Sequence, residues 1–224
     1  MNKKHKLVLF LFLSTFITFA QNKHNQVDTN GKRHGIWKKL YRNGNVRYTG
    51  EFNHGKEVGT FNFYAITGEK KPIVVKIFQA NKSLTAVEFF SKKGVPESKG
   101  NMQGKNRIGE WIYYFNDGKT ILSKENYIDG LLDGKFQVFY KNGKLTELAH
   151  YQKGKLNGKR IRYSDTGKET ENITYKTGVM HGPAIIYDEK GEVYAKGSYI
   201  EGIKSGVWEF NMDGEMVKVE ADKI

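Results

Sequence analysis

The sequence contains no cysteine and only 3 prolines among its 224 residues. Without cysteine the chain cannot form a disulfide, a thiolate metal site or a thiol redox centre. It also lacks a Gly-x-Ser-x-Gly elbow, a P-loop and a His-Glu-x-x-His motif. The few histidines are far apart, and none of their spacings resembles a zinc site. We therefore expect neither an enzyme nor a bound cofactor or metal.

Acidic residues are also scarce relative to basic ones. The chain has 37 lysines and arginines against 24 aspartates and glutamates, which gives a formal net charge of +13. A surface of this sign attracts anions in general, so an anionic lipid, an anionic polysaccharide or an acidic protein is a possible partner. Nucleic acid is not expected, because no nucleic-acid-binding motif accompanies the charge.

Glycine is abundant, with 25 residues, and it is periodic. A Gly-x-x-x-Gly pattern recurs, and its first glycine returns every 24 residues at Gly130, Gly154, Gly178 and Gly202. A fixed period of this length is the signature of a repeat architecture. We count about eight units from Gly31 onward. The third unit, near residues 79–102, is degenerate because it lacks the Gly-x-x-x-Gly pair.

Each unit contains two short runs with the β-branched and aromatic content of strands. A turn sequence such as Arg-Asn-Gly44 or Asn-Asp-Gly118 joins the two runs, so each unit is predicted to be one β-hairpin. The Gly-x-x-x-Gly stretch is predicted to turn the chain into the next hairpin. Its second glycines are then structural turn glycines: Gly35, Gly59, Gly109, Gly134, Gly158, Gly182 and Gly206.

A lone hairpin is only marginally stable in water, so the hairpins must pair with one another. The predicted fold is all-β, with about eight tandem hairpins in one elongated antiparallel sheet. Because every added strand contributes a right-handed twist, the sheet is expected to be twisted rather than flat. A repeat array of this kind forms one quasi-linear domain, predicted over residues 31–224.

The segments Gly35-Ile-Trp-Lys-Lys-Leu-Tyr-Arg-Asn-Gly44 and Gly109-Glu-Trp-Ile-Tyr-Tyr-Phe-Asn-Asp-Gly118 resemble MORN (membrane occupation and recognition nexus) repeats. The bacterial variant of that repeat is the closer match, and proteins of this group often carry the label of YwqK-type antitoxin. The resemblance covers nearly all of the chain after its N-terminal segment. The resemblance implies the hairpin fold. It does not imply one particular function, because MORN repeats serve as scaffolds and binding surfaces in unrelated settings.

The N-terminal segment has the features of a secretory signal peptide, predicted over residues 1–20. Lys3, Lys4 and Lys6 form a positive start, residues 7–19 form an apolar run too short to span a bilayer comfortably, and Thr18-Phe-Ala20 is a suitable cleavage site. A polar leader, residues 21–30, follows. The protein is therefore expected to be exported, to the periplasm, the cell surface or the medium.

Aromatic residues recur at two positions after the second glycine. Two residues on stand Trp37, Phe61, Trp111, Phe136 and Trp208, and five residues on stand mostly tyrosines, such as Tyr114, Tyr163 and Tyr187. Because these positions differ in parity, they are predicted to face opposite sides of the sheet. Four further tyrosines are predicted to lie with the second group: Tyr127, Tyr151, Tyr175 and Tyr199. Both rows are interpreted as packing residues.

Two clusters of basic residues are the candidate binding surface. In unit six Arg160 replaces the tryptophan or phenylalanine of other units, Arg162 shares its face, and Lys159 precedes it. Lys38, Lys39 and Arg42 form the second cluster, in unit one. The alternative is that both clusters are ordinary solvated charges of a basic protein.

Three functions are compatible with these features. The first is an exported, non-catalytic scaffold that binds a protein or a cell-envelope component through its sheet surface. The second, suggested by the family label alone, is an immunity or antitoxin-like protein that occludes a toxin. The third is a module that binds carbohydrate or anionic lipid.

Overall fold

The computed structural model describes residues 24–79 and 83–223; the predicted signal peptide lies outside them. Within these residues, no helix is long and apolar enough to cross a membrane. The described residues are all-β, with 17 strands in one sheet and a short 3-10 helix, Ala221–Lys223. The strands are β1 (Gln26–Val27), β2 (Arg33–Leu40), β3 (Val46–Asn53), β4 (Lys56–Phe63), β5 (Val74–Phe78), β6 (Leu84–Phe90), β7 (Pro96–Gln103), β8 (Asn106–Tyr114), β9 (Ile121–Ile128), β10 (Leu131–Phe139), β11 (Leu145–Gln152), β12 (Lys155–Tyr163), β13 (Glu169–Lys176), β14 (Val179–Tyr187), β15 (Val193–Ile200), β16 (Ile203–Met212) and β17 (Glu215–Glu220).

Each strand pairs antiparallel with the next strand of the chain, from β1 through to β17. After the short β1, the remaining strands form eight consecutive hairpins, beginning with β2–β3 and ending with β16–β17. The prediction of one open, twisted antiparallel sheet built of tandem hairpins is confirmed. Because consecutive strands are neighbours in space, the described part of the sheet has no crossover.

The loop within a typical hairpin combines a tight turn with a left-handed glycine. In β2–β3, the N–H of Gly44 donates to the carbonyl of Tyr41 at 3.1 Å, and the N–H of Tyr41 donates to the carbonyl of Asn45 at 2.8 Å. Gly44 has φ +85°. This geometry is a turn followed by a bulge with glycine in the left-handed region, which is why Asn-Gly sequences recur here.

The turns between hairpins lie earlier in the sequence than the Gly-x-x-x-Gly interpretation placed them. Asn53 pairs with Lys56, so the turn consists of His54 (φ +47°) and Gly55 (φ +85°). Two consecutive residues with positive φ define a type I′ turn, whose twist matches that of the flanking strands. Equivalent turns are Asp129-Gly130, Lys153-Gly154, Thr177-Gly178 and Glu201-Gly202. In these five units the first glycine is therefore the turn glycine.

The second glycines lie inside strands, at bulges. Around Gly158 (φ +111°), Arg160 pairs with Ala149 and Leu156 pairs with Tyr151, so β12 carries extra residues opposite β11. Glycine suits this position because residues with a Cβ rarely adopt such a φ. The degenerate third unit supports this reason: it has no second glycine, and β5 pairs with β6 without any register shift.

Hydrogen bonds along the edge at the inter-unit turns connect successive units. The turn N–H of Gly154 donates to the carbonyl of Leu132 at 2.7 Å, and that of Gly178 donates to Leu156 at 2.7 Å. Along the other edge, the hydroxyl of Tyr140 donates to the carbonyl of Tyr163 at 2.9 Å. Each unit thus contacts the next at both ends of its strands as well as through the sheet, as expected of a quasi-linear array.

One face of the sheet carries the buried aromatic side chains, and we call it the aromatic face. Trp111, Trp208 and Phe61 are almost fully buried there. Each ring lies on a glycine of the preceding strand, namely Gly100, Gly197 and Gly50 respectively. Where the later residue is small, as at Ala184, the preceding strand supplies the larger Ile173. Neighbouring strands therefore compensate each other in side-chain size.

Candidate functional site

The aromatic face carries a row of tyrosines as well as the tryptophans. Tyr127 pairs with Gly109, two residues before Trp111, and Tyr199 packs edge-on against Trp208 with ring centroids 5.1 Å apart. Residues directly opposite each other in an antiparallel pair share a face. The prediction that Tyr127, Tyr151, Tyr175 and Tyr199 lie on the other face was therefore wrong, because it counted parity along single strands and ignored which residues pair.

The opposite face does carry the tyrosines five residues after the second glycine, at least in unit four. The ammonium of Lys99 lies 6.0 Å from the ring centroid of Tyr114. Lys99 pairs with Ile112, which is adjacent in sequence to Trp111 and so faces the other way. The aromatic face is thus built from the Trp/Phe positions together with the four tyrosines of the paired strands.

A cation covers each tryptophan of the aromatic face. Arg107 lies 4.7 Å from the ring centroid of Trp111, and Lys204 lies 4.8 Å from that of Trp208. Arg33 occupies the same position relative to Trp37, at 5.5 Å. In all three cases the cation stands four residues before the tryptophan, and this spacing is visible in the sequence. Stacking of a cation on an indole ring is favourable, so these charges are already partly engaged.

Four charged side chains form a compact group at the centre of units five and six, and we call it the Arg–Glu quartet. Arg160 donates to Glu147 at 3.0 Å, and the Nε of Arg162 donates to the same Glu147 oxygen at 3.3 Å. Both arginines also lie near Glu171, at 3.5 and 3.6 Å. Two arginines and two glutamates make the quartet neutral in net charge.

The quartet is only partly accessible. The side chains of Arg160 and Glu147 are 14% and 18% exposed, whereas that of Arg162 is 50% exposed. Arg160 also donates to the hydroxyl of Tyr175 at 3.4 Å, which connects the quartet to the tyrosines. Arg160 and Arg162 do share one face, but both are occupied by carboxylates. They are therefore a poorer anion site than the sequence suggested.

The sequence interpretation missed Glu147 and Glu171 as partners of the two arginines. Glu147 pairs with Arg162 from β11, and Glu171 pairs with Arg162 from β13. The available signal was periodic: these glutamates stand 24 residues apart, at the same position of two consecutive units. To infer from this periodicity that the glutamates contact the arginines requires the strand register, since neither glutamate is close to Arg160 in sequence.

The other residues of the predicted basic clusters do not come together. Lys159 is adjacent in sequence to Arg160 and so points to the opposite face. In unit one, Lys39 lies on the aromatic face, Lys38 lies on the opposite face, and Arg42 lies in the hairpin loop. Lys38 lines a surface cleft of about 550 Å³ together with His24 and Lys70, among others. Neither predicted cluster is a single patch.

A hydrogen-bonded group surrounds Glu125, which pairs with Trp111 across β8 and β9. The hydroxyl of Tyr127 donates to one oxygen of Glu125 at 2.5 Å, and Ser123 donates to the other at 3.0 Å. Burial raises the pKa of Tyr113, and its hydrogen bond with Tyr127 and the nearby carboxylate of Glu125 raise it further. Burial likewise raises the pKa of Tyr127. These phenols are therefore hydrogen-bonding groups rather than bases at neutral pH.

Two histidines meet at the N-terminal end of the array. The rings of His34 and His54 lie 4.8 Å apart, and Nδ1 of His54 lies 2.6 Å from the carboxylate of Asp28. The hydrogen bond from His54 lowers the pKa of Asp28. Over residues 24–79 and 83–223, no group of three or more potential ligands is placed to hold a metal ion. The hydrogen bond between His54 and Asp28 instead attaches the leader to the turn between the first and second hairpins.

Comparison with known families gives three matches to the MORN repeat variant, at residues 33–54, 132–153 and 180–201. Each match runs from the beginning or near the beginning of one strand to the turn that follows its hairpin, so it covers one structural unit. Comparison with curated proteins gave no match. The three matched segments place MORN-type repeats in the first, fifth and seventh hairpins of the array.

Proposed function

We propose that the chain is an exported, non-catalytic repeat scaffold that holds a protein or a cell-envelope component against its aromatic face. A sheet with one apolar face normally buries that face against a second layer of secondary structure. Within the described residues there is no second layer, because all 17 strands belong to one sheet and the remaining helix has three residues. In this part of the chain the rings of the face are buried by neighbouring side chains of the same sheet and by no second layer, and this is the observation that carries the proposal.

The polar groups of the face support binding rather than catalysis. The arginines of the quartet are paired with carboxylates, the cations of units one, four and eight stack on tryptophans, and Glu125 is bonded to Tyr127. Groups engaged in this way are held in fixed positions and present a defined surface.

Export is proposed from residues 1–20, and sequencing of the mature N-terminus should give Gln21 as the first residue.

Capture from the cell envelope with two matched charge reversals tests the proposal. Arg162→Glu changes the aromatic face, whereas Lys159→Glu makes the same change in charge three residues away on the opposite face; both side chains are exposed. A partner that uses the aromatic face is lost with Arg162→Glu and kept with Lys159→Glu. Equal capture by both variants would place binding elsewhere.

The same experiment separates the scaffold from the antitoxin-like alternative that the family label suggests. Recovery of one nuclease or effector in stoichiometric amount would favour occlusion of a toxin. Recovery of envelope proteins or envelope polymers would favour the scaffold.

A further inference from the structure

The four tyrosines of the aromatic face form a regular row, which we call the tyrosine row. Tyr127, Tyr151, Tyr175 and Tyr199 stand 24 residues apart, and each lies opposite the second glycine of its unit. Since one unit contributes two strands, successive tyrosines are separated by two strand spacings, which is about 10 Å. The row runs across the strands, along the length of the array.

The quartet beside this row has hydrogen-bonding capacity left over. Arg162 contacts the glutamates through its Nε, and in the described residues its terminal amino groups make no hydrogen bond. Glu147 accepts the hydrogen bonds of both arginines through its Oε2, and its Oε1 accepts no hydrogen bond in the same part of the chain. The site therefore offers donors and acceptors together, and its two positive and two negative charges cancel.

We infer that the tyrosine row and the Arg–Glu quartet bind a neutral, hydroxyl-rich polysaccharide in an extended form. This inference rests on the proposed scaffold function and names the ligand class of its aromatic face. A hydroxyl group both donates and accepts, so it matches a site with free donors and free acceptors. Net neutrality of the quartet removes the selection for anions that a bare arginine pair would give.

The geometry of the row favours a polysaccharide over a peptide strand. A spacing of about 10 Å is close to the length of a disaccharide in an extended β-linked chain. Tyr127 is buried, whereas Tyr151, Tyr175 and Tyr199 are only partly buried, so consecutive disaccharides can contact these three tyrosines through the apolar faces of their rings. An extended peptide usually adds to the edge of a sheet, parallel or antiparallel to its strands, whereas this row crosses the strands.

The test is calorimetric titration of the purified chain with cellohexaose and N-acetylchitohexaose, with cellobiose as the short control. The hexasaccharide covers about three tyrosines, so it should bind at least about tenfold more tightly than the disaccharide. Tyr151→Ala should weaken binding about tenfold. Tyr114→Ala, on the opposite face, is the matched control and should leave binding unchanged. Arg162→Gln keeps an exposed polar side chain, and it should also weaken binding about tenfold.

Three results would overturn the inference: no binding of either hexasaccharide, equal binding of the disaccharide, or equal losses for Tyr114→Ala and Tyr151→Ala. If Tyr151→Ala fails to fold, judged by its melting curve, Arg162→Gln decides. Binding to anionic vesicles without binding to either neutral sugar would assign the face to an anionic ligand. If Arg162→Glu abolishes envelope capture while no sugar binds, the scaffold function stands and the polysaccharide does not.

Discussion

The ring of Trp111 lies directly on Gly100 of the neighbouring strand: a Cβ at position 100 would lie 2.5 Å from the Cδ2 atom of the indole. The indole is also held from the side by a hydrogen bond from its Nε1 to the carbonyl of Asn101 at 3.0 Å. A fully buried ring fixed in this way cannot move aside. The glycine is therefore required by the tryptophan and not by its own backbone, since Gly100 is absent from the residues with positive φ.

Gly100→Ala should destabilise the protein by about 1–3 kcal/mol, because the added methyl overpacks a filled site. Urea unfolding followed by circular dichroism measures the change. The double variant Gly100→Ala with Trp111→Leu provides the control: if the clash is the cause, the effects of the two substitutions are not additive. Strict additivity would show that the glycine acts through the unfolded chain instead.

Gly158→Val and Gly182→Val should each destabilise by about 1–3 kcal/mol, because a β-branched residue is strained at positive φ. The two glycines have φ +111° and +101°, and a Cβ there makes only ordinary contacts, at 3.6 and 3.5 Å, so strain is the main cause. Lys155→Ala, on an exposed position of β12, is the comparison and should melt at nearly the wild-type temperature. Similar melting temperatures for all three variants would contradict the bulge assignment.

Arg160→Ala should be more destabilising than Arg162→Ala. Loss of Arg160 leaves Glu147 and Glu171 facing each other in a partly buried site, and we expect about 1–3 kcal/mol from the lost charged hydrogen bonds. Arg162 is half exposed, so its ion pairs are screened by water and should contribute less than about 1 kcal/mol. Chemical unfolding of the two single variants, with Glu147→Gln as a third, gives the comparison; equal losses would show that burial does not distinguish the arginines.

Binding to anionic lipid vesicles should not depend specifically on the quartet. The double variant Arg160→Ala with Arg162→Ala removes two charges that Glu147 already engages. We expect it to bind no more weakly than Lys38→Ala with Lys39→Ala, and both to lose affinity at high salt as screening increases. A larger loss for the arginine pair at low salt would restore the anion-site hypothesis.

The loop between β8 and β9 should show acid-dependent stability through Asp117. Its carboxylate accepts hydrogen bonds from the side chain of Thr120 and from the backbone of Lys119 and Thr120, which lowers its pKa from 3.8 to about 2. A carboxylate whose pKa is lower in the folded state stabilises the fold at pH values above its unfolded-state pKa. This stabilisation is lost as the pH falls towards 2. The wild type should therefore melt above Asp117→Ala at pH 7, and the difference should shrink between about pH 4 and 2.

Asp165→Ala is the control for this experiment. Asp165 lies in the hairpin loop of unit six, and its side chain makes no hydrogen bond within the described part of the chain. Its substitution should shift the melting temperature little at either pH. A gap between wild type and Asp117→Ala that stays constant with pH would exclude the carboxylate as the cause.

The repeat period was sufficient to predict eight hairpins and the Trp/Phe positions of one face, because glycine and aromatic spacings are local properties of a hairpin. Whether Tyr175 and Arg160 share a face depends on how β12 pairs with β13, where Gly158 lies opposite Tyr175 and Arg160 lies opposite Ile173. The same applies to Glu147 and Glu171. The strand register, which composition does not reveal, places two glutamates beside the two arginines. The fold therefore forms a neutral quartet where a basic patch was predicted.

The stacked turns also define how the molecule responds to force. The glycines of the inter-unit turns donate to carbonyls only 22 or 23 residues earlier: Gly55, Gly130, Gly154, Gly178 and Gly202. Within residues 24–79 and 83–223, none of these bonds ties one end of the array to the other. A pull applied to the last strand loads the bonds of β16–β17 first, and the bonds of earlier hairpins only afterwards. Such a sheet peels open one hairpin at a time and can close again in the same order, so that it yields under tension without complete unfolding.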